Sequence, residues 1–519
     1  MIDKKRIRWT LVIAALAIGV SGAATAAQLE GPATIVFDQY RVPTIIAQSE
    51  HDAIFLQGYL HAKNRFFQME FQRRLFSGRV SELVGSPGLA QDIQLRTLGL
   101  RRAAERSLPL QTPESLAWLQ AYSDGVNAFL QDTSQPLPIE FGALEITRAG
   151  IAPWTPLDCL TMAKGLAFGL SFDLGDINRT LALLNYRGVC TAVGCNGLQL
   201  YNDDLWRVAP FESAVSIPSP PLMVASPAPT IPEDQTYPGY LSDPSFQSMV
   251  ESYRDQIAEI PILKKALDSD YGEMGSNWWI VSGANTDSGH PMLTNDPHLA
   301  LGAPATFYEV HLNVTGGINV TGVSFPGTPG VVIGCNDTIC WGAAVNGMDV
   351  TDVFNEVLLA QIPGQPTTPT AILFEGAPEP LQFIPQTFMV NVFDGIPNTQ
   401  ANAGVPANMG GVTTIVPRRN NGPIVQVSFN PASPTPLTGL SVAYTGWGAT
   451  HEVETLRRFA RAASMQDFKD ALQYFDVGSQ NWAYADVNGN IAYYTSGELP
   501  LRQDLQTQLF PAGLLHPGL

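Results

Sequence analysis

Residues 275–299 read G-S-N-W-W-I-V-S-G-A-N-T-D-S-G-H-P-M-L-T-N-D-P-H-L and offer the chain's clearest chemistry. They lie where linker-like texture gives way to β-rich sequence. A Gly-Ser bond at an exposed junction is a place where a chain can be cut. Cleavage between Gly275 and Ser276 would leave Ser276 with a free α-amine beside its own hydroxyl. The ordinary pKa of such an amine, about 7.7–8, suits neutral-pH base work better than that of a lysine. One residue would then hold both nucleophile and base. The bland reading of Ser276 is a turn serine.

Other chemistries have less to stand on. The sequence contains no G-x-S-x-G elbow, no H-E-x-x-H and no G-x-x-x-x-G-K-[ST]. His451 in H-E-V-E-T lacks a second histidine, and the seven histidines have no ligand spacing. Lys+Arg 29 against Asp+Glu 47 gives a net charge of −18. Such a surface repels phosphate, which argues against a nucleic-acid partner. With 45% apolar and 15% charged residues in 519, the chain is neither disordered nor a coiled coil.

Residues 1–26 read as a secretory signal peptide. A basic start is followed by an apolar run from Trp9 to Val20 and an A-x-A site at Ala24 and Ala26. That run is too short to cross a bilayer comfortably, and no later stretch is apolar enough to do so. The expectation is a periplasmic or secreted protein without a membrane span once the signal is removed. Export permits disulfides. Cys190/Cys195 and Cys335/Cys340 are close pairs, the second flanking an N-D turn, and Cys159 is left over as a buried small residue.

The elements that must carry this chemistry follow from periodicity. Residues 33–48 predict strand, turn, strand. Glu50 to about Arg74 predicts a helix from Phe55, Tyr59, Phe66, Met69 and Arg73, and further helices are predicted over 113–132 and 156–172. Residues 215–240 are Pro/Ser-rich and read as a linker, followed by a polar helical stretch over 245–268. After Gly275 the texture is β, with short apolar runs between Gly, Pro and Asn-Asp turns. Helices return over 452–461 and 465–474, and 481–497 reads as strand, N-G turn, strand.

Several motifs in order resemble the penicillin acylase (penicillin amidase) family of N-terminal nucleophile hydrolases. They are V-F-D-Q-Y-R-V-P-T-I-I-A (36–47), the run from Gln57 to Gly85, the segment at 275–299, Y-E-V-H-L (308–312), F-P-G-T-P-G-V-V-I-G-C-N-D-T-I-C-W-G (325–342) and N-W-A-Y-A-D-V-N-G-N-I-A-Y (481–493). The resemblance covers most of residues 33–502, and N-D-P-H-L brings it nearest to the acyl-homoserine-lactone, aculeacin and cephalosporin acylases. It implies an α+β fold, an αββα four-layer sandwich with a helical first chain wrapped around a β-rich second chain. It implies a first chain over 27–240, a spacer over 241–275 and a catalytic second chain over 276–519, forming a heterodimer from one precursor. Family second chains run longer, so this one reads as truncated. A second departure is R-R-N-N-G-P (418–423), where relatives often carry a histidine before G-P.

The resemblance also assigns roles. Ser276 is the nucleophile and Gly275–Ser276 the processing site, opened by an N-to-O acyl shift. His298 orients or assists proton transfer. The Val345 backbone N–H and the Asn481 side chain form the oxyanion donors. Arg502 positions groups near the amine. Each of these side chains also has an ordinary structural reading. Asp349, Thr351 and Asp352 in G-M-D-V-T-D, with Asp176 from the first chain, would hold a structural Ca²⁺; solvated loop acids are the alternative. Leu166, Leu170, Leu299 and Phe325 are candidates for an apolar acyl pocket.

The function implied is a self-processing, exported amidohydrolase acting on small-molecule N-acyl amides, with acyl-homoserine lactones first and β-lactam side chains second. The alternatives are a non-catalytic relic or truncated fragment acting as a binding or structural protein, and a Ca²⁺-dependent adhesive protein. Intact mass of the purified protein is expected to show two polypeptides, one beginning at Ser276. A single unprocessed chain that still turns over amides would defeat the scheme.

Overall fold

The computed structural model describes residues 29–205, 239–267, 275–433, 436–502 and 515–517. The signal peptide and most of the Pro/Ser-rich linker lie outside the described residues. The first half is helical, and the half after Gly275 is built mainly from strands, so the class is α+β as expected.

The long helix Glu50–Phe76 starts where Ser49 accepts a bond from the Asp52 N–H, and it is kinked at Arg65. It crosses the helix Pro113–Gln131, whose cap is Thr112. The crossing requires two glycines. A Cβ on Gly125 would stand 1.8 Å from the Phe55 carbonyl oxygen, and one on Gly58 would stand 2.2 Å from that of Tyr122. Near this helix's C-terminal end Arg74 donates to Glu70 at 2.7 Å and to Glu82 at 2.8 Å, a buried pairing that leaves its charge compensated.

One eight-stranded sheet combines both halves. Its order is Thr34–Phe37, Pro43–Ala47, Tyr308–Val314, Asn319–Ser324, Ile333–Cys335, Ile339–Val345, Gln480–Asp486 and Ile491–Ser496. Pro43–Ala47 runs parallel to Tyr308–Val314, and the other pairs are antiparallel. The similar H-L-N-V-T-G and I-N-V-T-G segments are partners in a single hairpin. A second sheet is centred on Thr351–Leu359 and Leu437–Tyr444. A separate hairpin, Ser276–Val281 with Met292–Pro297, packs on Ile339–Val345 and Gln480–Asp486. Its inward side chains alternate with outward ones, and Trp279 (69% exposed) and Met292 (61%) are uncovered among the described residues.

Both cysteine pairs are bonded, Cys190–Cys195 and Cys335–Cys340. Cys159 is free and buried, and burial pushes its thiol up to about 12. No helix among the described residues is long and apolar enough to cross a membrane.

The stretch read as spacer carries the polar helical pattern expected of residues 245–268. Residues 244–258 and 261–267 are helices, broken at Pro261, and Phe246, Val250, Tyr253, Ile257 and Leu263 are buried in the main core. The Leu174 N–H donates to the Ala266 carbonyl at 2.7 Å, and Asn178 donates to the Leu267 carbonyl at 2.8 Å. The outer face of these helices is polar, as read from the sequence, and their inner face is core.

A buried polar knot joins the halves. His61 Nδ1 lies 2.7 Å from the Tyr122 hydroxyl, and Nε2 lies 3.0 Å from the Ser324 hydroxyl. Burial, aided by Arg65, pushes the His61 pKa down to about 3. In the unfolded chain it returns to about 6.5, so between these values the unfolded state binds the extra proton. Stability from this knot is therefore complete above about pH 6.5 and declines as pH falls towards 3. At about pH 5 the loss is roughly 2 kcal/mol. Urea unfolding at pH near 7.5 and near 5 is expected to show a steeper acid loss in wild type than in His61→Gln; equal slopes would contradict the assignment.

Candidate active site

Ser276 opens its strand opposite Pro297, so Gly275 falls opposite His298. The His298 backbone N–H donates to the Gly275 carbonyl at 3.2 Å. This places a donor on the oxygen of the bond between Gly275 and Ser276. The imidazole is close as well, since a Cβ on Gly275 would stand 3.8 Å from Nδ1. Among the described residues its hydrogen-bond partners are Asp296, 3.2 Å from Nε2, and Asn277, 3.4 Å away; Ser276 Oγ is not among them.

The hairpin is fixed to the large sheet by Asn295. Its side chain accepts from the Ala343 N–H at 2.8 Å and donates to the Ala343 carbonyl at 3.1 Å and to that of Asn277 at 3.0 Å. Two residues after Ser276, the Trp278 indole N–H donates to the Asn481 carbonyl at 3.1 Å. Asn481 lies opposite Ala344, beside Val345, on the adjoining strand. The Asn346 N–H points across this ladder to Ser479, so alternation turns the Val345 N–H towards the opposite edge, where Asn295 also binds. Asn481 Nδ2 donates to the Val345 carbonyl at 3.3 Å.

Ser276 and Val345 share the wall of a cavity of about 120 Å³ with Leu166, Leu170, Leu299 and Phe325. All four apolar residues expected from the sequence thus meet at Ser276. Phe307, Leu456 and Trp482 also line the cavity, with Phe307 stacked on Phe325 at 5.0 Å. These were not anticipated, because apolar residues in separate elements carry no local signal of a shared cavity.

The acids form a second cluster. Asp176 and Asp352 are buried and converge with His516, and Asp349 and Asp173 face the same group electrostatically. Burial, then Asp349, pushes the Asp173 carboxyl up to about 7. Burial and the charges of Asp173, Asp349 and Asp352 raise Asp176 well above the usual carboxylate range. The Thr351 hydroxyl accepts from the Asp173 N–H at 3.5 Å. Asp173 and His516 were missed by sequence reasoning, His516 because it lies far along the chain.

Arg502 is found with these acids and not with Ser276. It donates to Asp352 at 2.7 Å and to the Asp349 carbonyl at 3.0 Å. The crowded set of buried carboxylates draws the guanidinium to this side. Among the described residues, these four carboxylates are paired with Arg502 and Arg179 as permanent cations, and a donor set of oxygens with excess negative charge fits a Ca²⁺ ion.

Comparison with known proteins gives a consistent set of relatives. The family model described as penicillin amidase matches residues 32–515. An acyl-homoserine lactone acylase QuiP from Pseudomonas aeruginosa is 26% identical over 476 residues, covering 89% of this chain and 49% of that protein. A penicillin G acylase from Escherichia coli is 26% identical over 532 residues, covering 97% of this chain and 58% of that protein. A solved thermostable penicillin G acylase from Alcaligenes faecalis matches with a TM-score of 0.32 and 22% identity, over 36% of this chain and 97% of that one. The chain spans about half the length of the curated relatives it matches.

Proposed function

The chain belongs to the penicillin amidase family, and from that premise we propose that it serves a self-processing acylase which hydrolyses the amide bond of N-acyl substrates. The observation that carries this reading is the Gly275–Ser276 linkage, its carbonyl held by the His298 N–H, beside an apolar cavity.

In the first step the Ser276 hydroxyl adds to the Gly275 carbonyl carbon. The C–N bond breaks, the proton passes to the departing nitrogen, and an ester results. Water opens that ester and leaves Ser276 with a free amine. Two polypeptides then remain associated, 276 onward forming the second. The spacer released in this reading lies within residues 241–275, whose helices at 244–267 pack on the core while the chain is uncut.

In turnover the amine takes the hydroxyl proton as Ser276 attacks the acyl carbon. The Val345 N–H and the Asn481 amide donate to the oxygen as negative charge develops there. The amine returns the proton to the leaving nitrogen, and water repeats the cycle on the ester. His298 steadies the polar groups around the amine. Leu166, Leu170, Leu299 and Phe325 hold the acyl tail. The cavity is comparable in size to the roughly 150 Å³ apolar sites that accept a benzene ring. It therefore favours a medium-length alkyl chain or a single ring, as in an acyl-homoserine lactone or a β-lactam side chain. The signal-like first residues support a periplasmic or secreted location.

Ser276→Ala is expected to leave one uncut chain and to reduce hydrolysis of acyl 4-nitroanilides to background. In wild type, kcat/KM should rise with pH up to about 8, where the terminal amine loses its proton. Cleavage and turnover that survive the substitution would sink the reading.

Asp176, Asp349, Asp352 and the Thr351 carbonyl would hold a structural Ca²⁺, whose charge offsets the acids and ties the two halves. Ca²⁺ at about a hundredfold excess over Kd should stabilise wild type by about 2.7 kcal/mol in thermal or urea unfolding. Chelation should reverse the gain, and Asp176→Asn should show none. Identical unfolding with and without Ca²⁺ would remove the ion from the scheme.

A further inference from the structure

Building on the acyl-transfer reading, we propose that Tyr493 and Thr495, supported by Trp278, are positioning residues that fix which end of the Asn481 amide faces the reacting oxygen. An asparagine amide serves as an oxyanion donor in only one of its two orientations. Turned over, it presents lone pairs to the developing negative charge.

The surroundings of Asn481 select one orientation. The Val345 carbonyl, which can only accept, lies 3.3 Å from the amide nitrogen. An amide oxygen in that place would meet another oxygen, so the nitrogen belongs there. On the other side, Oδ1 accepts from the Tyr493 hydroxyl at 2.7 Å, and the Thr495 hydroxyl, 3.1 Å from Oδ1 and 2.6 Å from the Tyr493 oxygen, donates either to Oδ1 or to the tyrosine that holds it. In both arrangements the pair presents hydroxyl hydrogen to the amide oxygen and none to the nitrogen.

The sheet supplies this arrangement. Thr495 is directly opposite Asn481 on the neighbouring strand, and Tyr493 is the diagonal neighbour on the same face. Trp278 closes the group, since its indole donates to the Asn481 carbonyl and its ring packs 5.5 Å from that of Tyr493. The strand begun by Ser276 therefore bears on Asn481 twice, through its backbone and through the tyrosine that holds its side chain. Tyr493 is 41% exposed, so core packing alone does not account for it.

Tyr493→Phe and Thr495→Val each remove one hydroxyl and keep the shape of the side chain. Each should lower kcat for an acyl 4-nitroanilide about tenfold, and the pair about a hundredfold, approaching the ~10²–10³ loss of an oxyanion donor itself. KM should stay nearly unchanged, and Thr495→Ser should recover most of the rate. In an Asn481→Ala background neither substitution should lower the rate further. An unchanged kcat, or an equal fall in the Asn481→Ala background, overturns the proposal and leaves acyl transfer standing. A crystal structure of the double variant tests it separately. Asn481 should be found turned over or swung away, even if wild type hydrolyses no amide and the acylase reading fails. An Asn481 side chain unmoved from its wild-type contacts overturns the proposal.

Discussion

The geometry of the site depends on one side chain that substitutes for a missing length of strand. Ile339–Val345 is paired along its full length with Gln480–Asp486, but on its other edge Ile333–Cys335 reaches only as far as Trp341. Beyond that point Ala343 would keep a backbone donor and acceptor without strand partners, which is costly inside a protein. The Asn295 amide satisfies both. Because Asn295 belongs to the Ser276 hairpin, the same two bonds set the position of Ser276 relative to Val345 and Asn481. Gly342 permits the approach, as a Cβ there would stand 2.9 Å from the Asn295 oxygen.

Polar and apolar parts of the site are kept separate by short connections. Residues 346–350 alone lie between Val345, at the cavity, and Thr351, which begins the strand carrying Asp352. Repulsion among Asp173, Asp176, Asp349 and Asp352 therefore acts on the segment that follows the Val345 amide. Arg502 counters it with bonds to Asp352 and to the backbone at Asp349.

The sequence was informative where a signal is local. Periodicity located the helix from Glu50 to within two residues of its end, and the N-G and N-D turns gave the hairpins correctly. Ordered motifs brought Ser276, Val345, Asn481 and the four pocket residues into view together. What stayed hidden depends on pairing across distance. Asn295 reads as one polar residue in T-N-D-P, and its role arises only when strand register sets it against Ala343. Tyr493 and Thr495 alternate as strand residues should, which says nothing about the amide they hold. The bonds of Arg502 to Asp352 and to the Asp349 carbonyl were also hidden, because motif position carries no information on where a long side chain finds countercharge. The helices over 244–267 were legible as a polar helical stretch, but their packing on the core was not, because composition averages a buried face with an exposed one.

The two halves do not rely on the peptide link at residue 275 to stay together. Gln57 donates to the Gly330 carbonyl at 2.9 Å and accepts from the Gly330 N–H at 3.0 Å, both bonds buried. Tyr122 accepts from the Gly327 N–H at 2.8 Å, and His61 reaches Ser324. Asp176 accepts from the Val353 N–H at 3.1 Å. Breaking any of these would leave a buried polar group unpaired, at roughly 1–3 kcal/mol each. Opening the single bond before Ser276 breaks none of them. The packing that holds the Phe325 loop against the first-half helices therefore exists before any cut. A fold organised in this way can lose the continuity of its backbone at that bond while keeping its cavity walls in place.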